Sequence, residues 1–225
     1  MPDHTDGSVI DSAVHAVALD ALAEDTRCIV VIVDVDGDIV WANRLTESLS
    51  NAPPGSLVAR HSSAILPPEY VAERVEYVRE AISSGKPVVC EGLCWGLYRR
   101  TTFRPLPTPP GGKPRALIVC RPKPTDETDL TPDSTAPARR ARYNDLGPLA
   151  SLTERELEVL DLIGRGLSSA EIARHLHRSI KTVEWHRVAL GEKLGATNRV
   201  GLARIALNAG LSTGPLPQSA PSKST

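Results

Sequence analysis

Three helix starts crowd between residues 153 and 179, and they commit the last third of this chain to short packed helices. Thr153 followed three positions later by Glu156 has the form of a capping box, in which hydroxyl and carboxylate each satisfy a main-chain N–H that the first turn leaves unpaired. Leu157, Leu160 and Ile163 follow at helical spacing, and Gly166 stands where the helix must stop. Ser168 and Glu171 repeat the box and open a second helix with Ile172, Ala173 and Leu176 facing inward. His177-Arg178 is then the turn, and Ser179 caps a third helix from about Ile180 to Leu194. Ile180, Val183, Leu190 and Leu194 recur on one face of it, while Lys181, Glu184, Trp185 and Arg187 point elsewhere. A fourth apolar series, Val200, Ala203 and Leu207, follows a cap at Asn198. Two short helices about a tight turn, the second presenting polar side chains, form the geometry that lays a helix in the major groove of DNA.

The segments LTERELEVL at 152–160, GLSSAEIARHL at 166–176 and SIKTVEWHRVALGEKLGATNR at 179–199 resemble the LuxR/FixJ/NarL-type helix-turn-helix family over about 60 residues. That resemblance implies a four-helix unit that binds double-stranded DNA as a homodimer, with the last helix, here Val200, Ala203 and Leu207, in the dimer contact. Carried over by position, Lys181 and Thr182 meet phosphates, with Ser179, Asn198 and Arg199 among the DNA-binding residues, and Glu184, Trp185, Val188 and Ala189 face the groove. RNA polymerase is the further partner such a regulator implies.

The third helix departs from the common pattern, in which many members carry Lys at the position of Glu184 and a polar residue at Val188 or Ala189. Its base-reading surface is therefore poor in donors. Glu184 could accept from cytosine N4, Arg187 could take phosphate or guanine, and Trp185 could pack on a thymine methyl. Alternatively Glu184 pairs with Arg187 three positions on and neither reads a base. Sigma-factor region 4 opens with a similar motif, but TVEWHR followed by KLGATNR favours the LuxR-type reading. Residues 150–212 hold nine Lys/Arg against seven Asp/Glu, so non-specific affinity for DNA should be modest.

Ahead of this unit, RPLPTPPGGKPR at 104–115 is a Pro/Gly loop and PKPTDETDLTPDSTAPARRAR at 122–142 is too polar to bury a core. The expected division is a domain at 1–122, a flexible linker at 123–148, the helical unit at 149–212 and a disordered tail at 213–225. Ile10, Val14, Val17 and Ala21 suggest an amphipathic N-terminal helix. CIVVIVDVDGDIVWAN reads as strand, Asp36-Gly37 turn and strand, after which Asn43 caps a short helix. Pro67-Pro68 opens a longer helix with Val71, Val75, Val78 and Ile82 on one face and Gly85 at its end. Strand-like runs follow at 87–94, 97–105 and 116–121, giving a five-stranded antiparallel sheet with helices on one face. Over about 95 residues this front half resembles a PAS domain, through DxDGDIVWAN, the helix before GKPV, and GLYRRTTFRPL. The resemblance implies a sensory or dimerisation module; no haem-type histidine on the 69–84 helix and no flavin signature is present, which leaves the cofactor unknown and a small-molecule ligand open. His61 is read as a solvent-exposed loop residue.

Other functions find little footing. A receiver domain needs a phosphoacceptor Asp at the end of a third strand, and residues 48–68 contain none. There is no P-loop, GxSxG or HExxH, and Asp34, Asp36 and Asp38 sit about a hairpin turn, where Asp serves local hydrogen bonding, so no enzyme is expected. The longest apolar run, Cys28 to Val33, is far short of a membrane span, and the N-terminus is acidic, so the expected location is the cytoplasm with no membrane partner. The four cysteines, Cys28, Cys90, Cys94 and Cys120, have no metal-site spacing and read as small apolar residues in strands. The alternative to a DNA reader is an interaction protein that has lost specific DNA binding.

Overall fold

The structure, a computed structural model, describes residues 12–123 and 137–211. Helix α1 (Ser12–Asp25) precedes strands β1 (Ile29–Asp34) and β2 (Ile39–Ala42), then helices α2 (Arg44–Leu49) and α3 (Pro68–Ser84). Strands β3 (Val88–Cys94), β4 (Leu97–Leu106), β5 (Arg115–Pro122) and β6 (Arg139–Arg140) complete a sheet ordered β2-β1-β5-β4-β3-β6. Helices α4 (Glu154–Gly164), α5 (Ser169–His175), α6 (Ile180–Leu194) and α7 (Arg199–Asn208) follow. The expected five-stranded antiparallel sheet is therefore corrected to a mixed sheet of six strands, because β6 joins β3 in parallel, Cys90 opposite Arg139 and Glu91 opposite Arg140. Two arginines carry no alternation of apolar and polar residues, so no pattern marks them as a strand.

The described residues form two compact units, one of 12–65, 74–89 and 101–122, the other of 66–73, 90–100, 123 and 137–211. In the first, β1 pairs antiparallel with both β2 and β5. Asn43, fully buried, ties this sheet to α2: its side chain accepts from the Thr46 and Val30 amides and donates to the Cys28 carbonyl. The β1–β2 hairpin closes on Asp34, whose Oδ1 accepts from the amides of Asp36, Gly37 and Asp38 at 3.0–3.1 Å. Gly37 has φ +97°, and a Cβ there would lie 2.8 Å from Val75 and 2.9 Å from His61, so both backbone and space demand glycine. His61 is solvent-exposed as read, capping a 3-10 turn and touching the Asp36 carbonyl through Nε2. On α3, Val71, Val75 and Val78 are buried as their spacing requires. On α1 the packed positions are Leu19 and Ala23, whereas Val17 and Ala21, expected on the packed stripe, face solvent. Ile10 lies outside the described residues.

In the second unit, residues 137–148, within the segment expected as a linker, follow β3 closely. The Ala141 and Asp145 amides donate to the carbonyls of Glu91 and Leu93, and the Leu93 amide donates to Asn144 Oδ1. Asp145, only 7% exposed, accepts from the Trp95 amide at 2.8 Å and the Gly147 amide at 3.0 Å. Glu73 accepts from the amides of Arg142 and Tyr143. These carboxylates supply what the short strand lacks, since main-chain groups removed from water must find partners. The backbones touch here: a Cβ on Gly147 would stand 2.6 Å from the Trp95 carbonyl carbon, and one on Gly96 2.8 Å from the Leu146 oxygen.

The helices of this unit surround Val159, Leu160, Ile163, Ile172, Val183, Leu190, Leu202 and Ala206, all at most 2% exposed. Leu93, Leu146 and Leu149 belong to the same core, with Tyr98 packed against it. Ile180, expected on the packed face of α6, is instead 54% exposed in an open groove with Arg174, His177 and Arg178. It is the first residue of α6, and the turn has not yet brought that face over the core. Cys28, Cys90, Cys94 and Cys120 are all buried, and none is in a disulfide.

Candidate nucleic-acid interface

The caps read from the sequence are made. Thr153 and Glu156 form a full capping box at α4, and Ser168 with Glu171 forms another at α5. Burial works against the charge on Glu156, but hydrogen bonds from Lys193 and Thr153 outweigh it and hold the carboxyl below its usual range. Lys193, near the end of α6, reaches that carboxylate at 2.7 Å, so the start of α4 and the end of α6 are pinned together. Between α5 and α6 the chain turns through His177, which has φ +49°. Ser179 accepts from the Thr182 amide, and its hydroxyl lies 2.8 Å from that of Thr182.

Helix α6 is anchored by Val183 and Leu190, seven residues apart and almost wholly buried. Its opposite side exposes Lys181, Glu184, Trp185, Val188 and Glu192, the i, i+3, i+4, i+7 and i+11 positions of a single face. Trp185 is 67% exposed and Val188 60%, unusual for residues of their kind. The indole meets the His186 ring edge-on at 5.3 Å.

Glu184 and Arg187 are paired. Arg187 Nη1 lies 2.8 and 2.9 Å from the two Glu184 oxygens and 3.1 Å from Ser169 Oγ on α5. Hydrogen bonding from Ser169 foremost, then from Arg187, outweighs burial and keeps Glu184 below the usual carboxylate range, hence charged at neutral pH. Ser169, eighteen positions from Arg187, was not singled out from the sequence, and no local spacing links them. Glu192 was missed as well, although continuing the face by one further turn from Val188 reaches it.

The remaining positions divide by task. Asn198 caps α7, accepting from the Gly201 amide. Arg199 donates to the carbonyls of Gly166 and Leu167 at the end of α4, at 2.7 and 2.9 Å. Val200 and Leu207 on α7 are 77% and 46% exposed, and Ala203 packs partly on the core. Among the described residues no cluster fit for a metal ion occurs, and no helix is long and apolar enough to cross a membrane.

Comparison with known proteins agrees with this layout. The family of bacterial regulatory proteins called luxR matches residues 150–206, and the PAS fold matches residues 18–121. The oxygen regulatory protein NreC of Staphylococcus aureus is 36% identical over 80 residues, which span 36% of this chain and 37% of that protein. The chain thus matches well under half the length of these curated relatives. A solved structure of the Vibrio cholerae VqmA dimer in the absence of its target DNA is 22% identical, covering 88% of this chain and 94% of that one, with a TM-score of 0.40. A domain of an HTR-like protein from Haloarcula marismortui is 21% identical, covering 42% of this chain and 95% of its own, also at 0.40. Residues 150–206 are thus similar to the luxR family of bacterial regulatory proteins, and residues 18–121 to the PAS fold.

Proposed function

We propose that this chain is a cytoplasmic transcription regulator that binds double-stranded DNA as a homodimer, under control of its PAS fold. The observation that carries the proposal is the exposed face of α6 behind the α5 turn: a short helix, held from beneath by Val183 and Leu190, offers Lys181, Glu184, Trp185 and Val188 outward. That presentation suits a helix lying in a major groove. Ser179, Lys181 and Thr182 at its start meet phosphates, while Arg187, Asn198 and Arg199 serve the interface by holding α6 and α7 in place. Val200, Ala203 and Leu207 form the pairing surface, and RNA polymerase is the downstream partner. Residues 1–122 supply sensing or dimerisation, and residues 149–212 read DNA.

Gel shifts of the full chain on genomic fragments at two salt concentrations test this. Lys181→Ala should weaken binding to all sequences alike and flatten the salt dependence by about one charge. Leu207→Asp should reduce affinity by breaking the pairing of two copies, with the protein still folded by circular dichroism. Failure to shift any fragment at low salt favours an interaction protein instead.

A further inference from the structure

Given that α6 enters the major groove, which rests on the DNA-binding reading above, we infer that it reads pyrimidine edges: thymine methyl groups with Trp185 and Val188, and the cytosine amino group with Glu184. The exposed face holds one cation, Lys181, and that lies in the first turn; beyond it come Glu184, Trp185, Val188 and Glu192. Guanine offers only the acceptors N7 and O6 in the major groove, and a face of carboxylates and hydrocarbon gives them no donor.

The one arginine of the helix does not supply the donors either. Bidentate contact with guanine needs two N–H groups along one edge of the guanidinium, either the two Nη atoms or Nε with Nη2. Nη1 of Arg187 is engaged by both Glu184 oxygens and by Ser169. Nε is buried without a partner. Neither edge is open.

The same pairing makes Glu184 usable near phosphates. It enters the groove with its own counter-charge, and the oxygen that Ser169 does not engage, having given one lone pair to Arg187, keeps another for a base. Adenine N6 also donates, but N7 beside it is an acceptor that repels a carboxylate. Cytosine N4 has only a C–H beside it. Trp185, in edge-on contact with His186, and Val188 three positions on present adjoining apolar surface, for which the thymine methyl is the one apolar group on any major-groove edge.

Selection of duplexes from a random library by the full chain, followed by competition assays, tests the inference. Each selected half-site should carry cytosine and thymine on one strand. Replacing those thymines by deoxyuridine, which removes only the methyl group, should weaken binding about fourfold per methyl covered. Trp185→Ala should erase that penalty at one thymine and Val188→Ala at another. Glu184→Gln should move the preference from cytosine towards adenine, whose N6 and N7 match an amide. Sites lost with Arg187→Ala but indifferent to Glu184→Gln and to deoxyuridine would overturn it. DNA retained without any shared sequence also overturns it while sparing DNA binding. No DNA retained at low salt overturns both.

Discussion

Helices α4 and α5 begin on caps drawn from their own next turn, whereas residues 139–147 are held by groups from far away in the chain. Thr153 answers Glu156 and Ser168 answers Glu171, three positions apart. By contrast Arg142 and Tyr143 rest on Glu73, and Trp95 rests on Asp145, across intervals of 50 to 70 residues. Both arrangements satisfy main-chain N–H groups with a carboxylate. The first kind stabilises a helix wherever the sequence is placed; the second exists only once the rest of the unit has folded.

That contrast is most exposed to failure at its distant end. Leu93 lies in β3 but is 2% exposed within the core of the helices, so Leu93→Ala should cost about 2–5 kcal/mol in urea unfolding of the full chain. A loss under about 0.5 kcal/mol, the range of an ordinary surface change, would show that the helices fold without β3. Asp145→Ala removes the acceptor of two amides and should cost about 1–3 kcal/mol, with faster hydrogen exchange at Trp95 and Gly147. Thr153→Ala removes one local cap and should cost about 1 kcal/mol. Acid titration examines the same cap by a second route. Since Glu156 is held below its ordinary value of 4.5, its contribution is intact above that pH and is lost as pH falls through the lower folded value; Glu156→Gln should flatten the melting temperature in that acid range. Least is expected of Glu158→Ala, which breaks only the Arg155 pair at i, i+3 and should shift stability by less than about 0.5 kcal/mol.

What could be read ahead of the structure follows the same divide. The four helices, the β1–β2 hairpin and the face of α3 were legible because caps, turn residues and periodicity act within a few positions. Strand β6 was not, since Arg139 and Arg140 owe their conformation to Cys90 and Glu91 on β3. On α1, both Val17 and Leu19 are apolar, and only the packing of Leu19 and Ala23 beside Cys28 and Val30 selects the buried side. On the exposed face of α6, Lys181, Glu184 and Trp185 were legible from spacing on one helix. The clasp on Arg187 needed Ser169, a residue on a different helix.

The close approach of Gly96 and Gly147 bears on how this chain can be cut and rejoined. Where two main chains meet with no side chain between them, neither residue can be exchanged independently of the other, because a single methyl group would strike backbone. A chimera that lifts residues 149–211 onto a different sensor takes neither partner of that contact, and one joined at residue 137 takes only Gly147. The recipient must then offer a glycine-bearing hairpin tip of its own at the same spot, or the transplanted helices lose the support of Leu93 and Tyr98 together. Inheritance of the helical unit is thereby tied to a turn that a cut made by sequence position alone would leave behind.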